Sequence, residues 1–197
     1  MSILKLSFVL VLSFFFIGFY PQGDDLNLGF ERVGYKARPM GWYAGGGGKR
    51  TDLEGYIGKI DDKVVHNGKY SLHLKHVTGD GFGTGTNSID VDRVRGKVIR
   101  YSGWIKTKGV GGEEGKNFNG YAGLWWRVDG PNNQVLAFNN MQDSLINGTR
   151  DWQYVSYELP VGQTATNINF GVITAGGGEA WFDGLRIDTN GVRFMGE

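Results

Sequence analysis

Two carboxylates near opposite ends of the chain, Glu31 and Asp183, stand beside strand-like apolar residues and have no obvious local partner. A carboxylate in such surroundings loses hydration on folding unless a cation or hydrogen-bond donors replace the water. A hard cation such as Ca²⁺ accepts two carboxylates together with backbone carbonyl oxygens. The pair therefore predicts either a cation that joins the first and last strands of one β domain, or two solvated acids at strand ends.

A second group of residues has the side chains that suit sugar recognition. In the segment 121–129, alternation places Trp125 on a polar face, opposite the apolar set Ala122, Leu124, Trp126 and Val128. In the segment 97–106, the same alternation places Trp104 on a polar face, opposite Ile99, Tyr101 and Ile105. Flat aromatic rings pack on the C–H faces of sugars while neighbouring polar groups bond the hydroxyls.

These patterns predict one ligand-binding face, with ring contacts from the tryptophans and hydrogen bonds from the polar residues beside them. Its predicted members are Trp104, Trp125, Arg100, Arg127, Tyr121 and Asn169. The alternative is that a loop or a partner protein covers the two tryptophans, since an aromatic side chain on a polar face needs some reason to be there.

Residues for catalysis are sparse. The chain has no cysteine and no Gly-x-Ser-x-Gly elbow, and His73 and His76 point to opposite sides of one strand. The acidic pairs Glu113-Glu114 and Asp61-Asp62 fall in predicted turns, where solvated carboxylates are expected. A lyase mechanism through Tyr121 and Arg127 is conceivable, but we expect binding without turnover.

The elements that position these residues are strands. The 197 residues include 34 glycines, together with many aromatic and β-branched residues, and this combination is typical of short strands joined by tight turns. Six clear strands are predicted near 70–77, 97–106, 121–128, 152–159, 167–174 and 180–187. The prediction is an all-β, two-sheet antiparallel sandwich. Its core comprises Phe30, Leu72, Leu74, Ile99, Ile105, Leu124, Trp126, Val128, Phe170, Val172, Phe182 and Leu185.

The first twenty residues differ in composition from the rest, because Lys5 is followed by an almost wholly apolar stretch. This pattern predicts a signal peptide at residues 1–23, with an uncertain cleavage site, followed by one domain at residues 24–197. We therefore expect a secreted protein, extracellular or periplasmic, with a retained N-terminal anchor as the alternative. The net charge of +1 argues against nucleic acid as the main partner.

Six short segments carry a family resemblance by their order and spacing: Asn27–Glu31, His66–Leu72, Ser102–Thr107, Tyr121–Gly130, Asn147–Trp152 and Trp181–Leu185. Through them the chain resembles the galactose-binding-like jelly rolls of carbohydrate-binding modules. More closely, it is similar to the module that precedes the catalytic domain in some exported bacterial tail-specific peptidases and erythromycin-esterase-like proteins.

The resemblance implies a jelly-roll fold and a structural calcium ion, remote from the ligand face. Its ligands would be the carboxylates of Glu31 and Asp183 and the backbone carbonyls of Gly29 and Lys69. It also implies a non-catalytic module that binds a glycan or polysaccharide. A scaffold that binds a partner protein is the second expectation, and a small polysaccharide lyase or hydrolase is the third.

Overall fold

The computed structural model describes residues 26–47, 55–79, 81–112, 120–144, 146–189 and 192–196, the last range and Asn133 by backbone alone. The predicted signal peptide, the acidic pair Glu113-Glu114 and part of the glycine run at 45–48 lie outside these residues. None of the helices in the described ranges is long and apolar enough to cross a membrane.

The described residues form eleven strands and three short 3-10 helices, with no α-helix among them. The strands are β1 (Tyr43–Gly47), β2 (Gly55–Asp61), β3 (Ser71–Thr78), β4 (Phe82–Ser88), β5 (Val98–Val110), β6 (Ala122–Asp129), β7 (Val135–Asn139), β8 (Gly148–Pro160), β9 (Asn167–Ala175), β10 (Glu179–Thr189) and β11 (Val192–Gly196). The 3-10 helices are Tyr35–Ala37, Val91–Arg93 and Pro131–Asn133. Each of the six predicted strands is present.

The strands form two facing antiparallel layers, as predicted. The hydrogen-bonded order is β7-β6-β9-β4-β1-β2-β3-β10-β5-β8, with β11 added to β10. The path turns a corner between β1 and β2, which share the single pair Gly45 and Ile57. Sheet I is β7-β6-β9-β4-β1, and sheet II is β2-β3-β10-β5-β8.

The core lies between the two sheets. Tyr101 of sheet II packs against Trp126 and Phe170 of sheet I, with ring centroids 5.6 and 5.5 Å apart. All twelve predicted core residues are buried, so strand parity correctly separated the inner from the outer positions. On β4 the inner position is glycine, because a Cβ on Gly85 would lie 2.6 Å from Leu72 of the opposite sheet.

The segment Asn27–Glu31 was predicted to be a strand, and this prediction is wrong. The segment is a turn, with Asn27 and Phe30 at φ values of +54° and +62°. It still lies beside β10, because the Leu185 N–H donates to the Leu28 carbonyl over 3.2 Å. The expected neighbourhood of the two motifs is therefore present, although a loop rather than a strand provides it.

Candidate functional site

The structure separates Trp104 and Trp125, which the sequence analysis placed on one binding face. Trp125 lies on the outer side of sheet I, because its neighbours Leu124 and Trp126 are wholly buried. Trp104 lies on the outer side of sheet II, three positions from the inward Tyr101. The outer sides of two stacked sheets point in opposite directions. We call them face I and face II, and the single predicted face is corrected to two.

On face I, the indole of Trp125 reaches across β9 towards β4. A Cβ on Gly171 of β9 would lie 1.8 Å from the Gly85 carbonyl oxygen and 3.0 Å from Trp125 Nε1, so glycine gives room to both the neighbouring strand and the indole. The Nε1–H donates to Thr84 Oγ1 on β4 over 3.1 Å. This hydrogen bond fixes the ring, and Trp125 remains half-buried rather than covered.

A second ring lies on the same face over a second glycine. Tyr43 is 53% exposed, and its hydroxyl donates back along β1 to the Gly46 carbonyl over 2.9 Å. Its Oη is 3.6 Å from where a Cβ on Gly45 would be. The sequence analysis did not identify Tyr43 as a residue of the binding face. The alternation of Trp42 inward and Tyr43 outward was the signal that could have identified it.

A polar row crosses face I next to the two rings. The register aligns Ser88 with Asn169 and Asn169 with Arg127 across three neighbouring strands. Arg127 Nε donates to Asp129 Oδ1 over 2.8 Å, which holds the guanidinium along the sheet. Of the predicted site residues, the structure thus brings together Trp125, Arg127 and Asn169.

Tyr121, also predicted to contact ligand, is covered. It is 8% exposed beneath the loop that follows β7, and a Cβ on the neighbouring Gly123 would lie 3.1 Å from the Asn140 carbonyl. Burial raises the pKa of the Tyr121 phenol, and a hydrogen bond with Asn140 partly offsets this. The same loop, residues 138–144, lines a pocket of about 260 Å³ beside face I.

On face II, two aromatic side chains pack against Trp104, which is half-buried. The His66 ring stacks on it with centroids 4.0 Å apart and 18° between the planes, and Tyr154 lies 5.3 Å away. Trp152 contacts the His66 ring edge-on, with centroids 5.5 Å apart. Arg100, the remaining predicted site residue, lies on this face in an ion pair of 2.8 Å with Glu158.

A second histidine–tryptophan stack lies on face II. His73 and Trp181 stack at 4.4 Å with 3° between the planes, and the Trp181 Nε1–H donates to Asp61 Oδ2. The Nε2 of His73 is 3.0 Å from Glu179 Oε2. Burial lowers the pKa of His73, and the two carboxylates act against this shift.

The carboxylates Glu31 and Asp183 converge on the turn between β2 and β3. Asp183 is wholly buried; its Oδ2 accepts from the His66 and Asn67 N–H groups and its Oδ1 from the Gly184 N–H. Glu31 Oε1 accepts from the Lys69 and Tyr70 N–H groups. Burial raises the pKa of Asp183, and its three backbone hydrogen bonds act in the opposite direction. Backbone N–H donors therefore replace the hydration that both carboxylates lose on folding.

This arrangement is compatible with a cation without requiring one. The described residues contain no cluster of three or more histidine and acidic side chains disposed to hold a metal ion. A cation here would need backbone carbonyl and water oxygens besides the two carboxylates, and Ca²⁺ accepts such a set. Gly29 and Lys69, the predicted carbonyl ligands, lie in the two turns that the carboxylates connect.

Face I has the chemistry for binding and little for proton transfer. Tyr121 precedes Arg127 by six positions along extended chain, so their backbones are about 20 Å apart. This distance is too large for both side chains to act on one reacting centre. Asp129, the carboxylate that alternation on β6 places on this face, is 8% exposed and paired with Arg127.

Comparison with known proteins gives one sequence relative of note, and no protein-family model matches the chain. The chain is 38% identical over 127 residues to the uncharacterized HTH-type transcriptional regulator YbfP of Bacillus subtilis (strain 168). The match covers 63% of this chain and 40% of that protein, so the chain spans about two fifths of the relative's length. A helix-turn-helix needs two α-helices. In the part of this chain that the structure describes, the only helical elements are three short 3-10 helices, so that part contains no helix-turn-helix.

Solved structures resemble the fold. A xylan-binding domain of carbohydrate-binding module family 22 superposes with a TM-score of 0.55 at 11% identity, over 81% of this chain and 93% of that domain. A Stig cyclase from Fischerella sp. TAU superposes with a TM-score of 0.55 at 16% identity, over 85% and 96%. At these identities the likeness is one of fold, and the chain has the jelly-roll fold of carbohydrate-binding modules.

Proposed function

We propose that the chain is a non-catalytic carbohydrate-binding module that binds a glycan or polysaccharide on face I. The observation that carries the proposal is the pair of outward aromatic residues, Trp125 and Tyr43, which the register places level with each other on sheet I, in line with Thr86 and Gly171. The π-face of an outward aromatic ring is the surface that packs on the C–H side of a sugar.

The spacing of the two rings suits an extended sugar chain. Trp125 of β6 and Tyr43 of β1 are level in the register with β9 and β4 between them, so their backbones are about 14 Å apart across the sheet. The Trp125 Nε1 reaches over β9 to Thr84 of β4, which brings the two side chains within the span of a short sugar chain. The row of Ser88, Asn169 and Arg127 runs beside them and supplies hydroxyl, amide and guanidinium groups for sugar hydroxyls. We expect the polysaccharide to lie across the strands of sheet I.

The experiment compares two matched tyrosines. Tyr43 on face I is 53% exposed and Tyr154 on face II is 50% exposed. Binding to xylan and other plant polysaccharides is measured by affinity electrophoresis and calorimetry for the wild type, Tyr43→Ala, Trp125→Ala and Tyr154→Ala. Loss of a ring contact should weaken binding by about two- to thirteenfold, because an aromatic contact contributes about 0.5–1.5 kcal/mol.

We expect Tyr43→Ala and Trp125→Ala to lose binding and Tyr154→Ala to keep it. Loss of binding in Tyr154→Ala alone would move the site to face II. No binding of any polysaccharide by the wild type would refute the carbohydrate function and favour the alternative described next.

The alternative is a module that binds a partner protein. Two likenesses motivate it. The chain resembles the module that precedes tail-specific peptidases and erythromycin-esterase-like enzymes, and it is similar in sequence to the transcriptional regulator from Bacillus subtilis. In either case, the jelly roll would bind a ligand or partner, and another domain or protein would carry the activity. Wild-type protein that binds no glycan and forms a stable complex with a separate enzyme or regulator would support this function.

Export, the absence of turnover and a structural calcium ion belong to the same proposal. The likeness to a Stig cyclase is a reason to test turnover directly. Turnover of a polysaccharide that Tyr121→Phe abolishes while binding persists would identify an enzyme. Calcium would be held by Glu31 and Asp183, with the carbonyls of Gly29 and Lys69, and would stabilise the turn that these carboxylates already contact.

A further inference from the structure

The loop that leads into β1 is basic and aromatic, and its 3-10 helix, Tyr35–Ala37, contacts β2. We call residues 32–40 the basic loop, because it contains Arg32, Lys36 and Arg38 and no acidic residue, in a chain whose net charge is only +1. All three cationic residues are exposed. Tyr35 is 83% exposed, the largest exposure of the large hydrophobic side chains in the described residues, and Met40 is 50% exposed.

The basic loop is held rigidly at its base. The buried amide of Asn27 donates to the carbonyls of Arg32 and Met40 over 2.9 and 3.0 Å and accepts from the Arg32 N–H over 2.9 Å. Across the loop, the Gly34 N–H donates to the Arg38 carbonyl and the Met40 N–H to the Arg32 carbonyl. The loop is therefore a formed structure rather than a loose connection.

The tip of the basic loop has an unusual backbone. Lys36 and Ala37 both have left-handed φ values, +56° and +57°, which non-glycine residues rarely adopt. The Lys36 ammonium lies over the Tyr35 ring, 5.4 Å from its centroid. Such strained positions persist when surrounding contacts impose them, and they concentrate at binding sites.

The basic loop is continuous with the proposed glycan surface. It leads directly into β1, where Tyr43 is aligned with Thr86. Continuing this register by two residues brings Gly41 level with Ser88, at the end of the polar row that Asn169 and Arg127 complete. A sugar chain that crosses face I along this row would reach the basic loop.

We propose that the basic loop binds carboxylate groups of an acidic polysaccharide, so that the glycan bound on face I carries uronate residues. This inference rests on the proposed function and specifies its ligand class. Exposed cations attract an anionic polymer, and the rigid loop reduces the entropy lost when they bind. Tyr35 adds a ring contact beside the charges.

The test compares two polymers with the same backbone. Affinities are measured for a neutral xylan and for xylan that carries glucuronate side groups, at low salt and in about 0.5 M NaCl. The variants are Arg32→Gln/Lys36→Gln in the basic loop and, as a control with the same change in charge, Lys75→Gln/Lys108→Gln, two exposed lysines beside Glu179 on face II.

We expect the wild type to bind the uronate polymer about five- to tenfold more tightly than the neutral one, with the preference lost at high salt. The loop variant should keep its affinity for the neutral xylan and lose the preference, whereas the control variant should keep both. A preference that survives in the loop variant would overturn the proposal.

Other results distinguish this proposal from the proposed function. Equal affinity of the wild type for the two polymers, with binding lost in Trp125→Ala, would overturn the role of the basic loop and leave face I as the glycan site. No binding of either polymer would overturn both. Binding of the wild type, but not the loop variant, to phosphatidylserine vesicles without any polymer preference would assign the loop to a membrane surface instead.

Discussion

The two outer faces of the sandwich use the same aromatic residues in opposite ways. On face I, Trp125 and Tyr43 point outward, and no second ring contacts either of them in the described residues. On face II, Trp104 and Trp181 each carry a stacked histidine. An outward tryptophan is therefore no sufficient sign of a binding face, because what stacks on the ring decides whether a ligand can reach it.

The largest expected difference between the faces is in stability. Trp181 is 6% exposed and donates to Asp61, so Trp181→Ala should lower the free energy of unfolding by about 3–5 kcal/mol, the range for large buried aromatics. Trp125→Ala removes a half-buried ring and should cost about 1 kcal/mol. Urea unfolding of both variants measures the difference. Equal losses would mean that face I is as much part of the core as face II.

Calcium should act on face II and leave face I unchanged. If a cation binds Glu31 and Asp183, calcium at about 100 times its dissociation constant should stabilise the fold by about 2.7 kcal/mol, because it binds the folded state alone. Thermal melts with calcium and with chelator measure this, with Glu31→Gln as the variant that should not respond. An unchanged melting curve in chelator and no metal in the purified protein would refute the ion.

The smallest expected effect is a dependence of stability on pH that arises from face II. Burial lowers the pKa of His73 below its usual 6.5 in the folded state. The contribution of His73 to the free energy of unfolding is therefore fully present above about pH 6.5, the pKa of the unfolded state. It decreases as the pH falls from there towards the lower pKa of the folded state. One such group gives a slope of at most about 1.4 kcal/mol per pH unit.

Denaturant unfolding of the wild type and His73→Gln between pH 5 and pH 8 measures this contribution. Glu179, Asp61 and Lys75 surround the ring and are present in both proteins, so the difference between the two profiles isolates His73. Identical profiles would show that His73 titrates alike in the folded and unfolded states.

The strand pattern predicted the fold and the inner positions well because alternation is a local property. Trp126 is buried and Trp125 is outward, as parity requires. Parity states whether a side chain points in or out, but it does not state to which sheet a strand belongs. That assignment depends on pairing between distant segments, and for this reason Trp104 and Trp125 were placed together although they lie on opposite faces.

The contacts that decide the use of each face also depend on distant residues. His66 comes from a turn far from Trp104 in the sequence, and no local pattern marks it as the residue that stacks there. Similarly, the partners of Asp183 are N–H groups of His66 and Asn67, which composition alone does not reveal. The need for a partner was predictable, whereas its identity required the folded chain.

The position of β10 has a consequence for the order of folding. This strand, Glu179–Thr189, lies between β3 and β5 in sheet II, although both of those strands precede it in the chain. The centre of sheet II therefore cannot close until residues near 189 have been synthesised. Pairing between such distant segments also makes folding slow, in the millisecond-to-second range for β-sandwiches. A nascent chain would expose unpaired strand edges throughout most of its synthesis, so chaperone binding to the unfinished chain is the expected consequence.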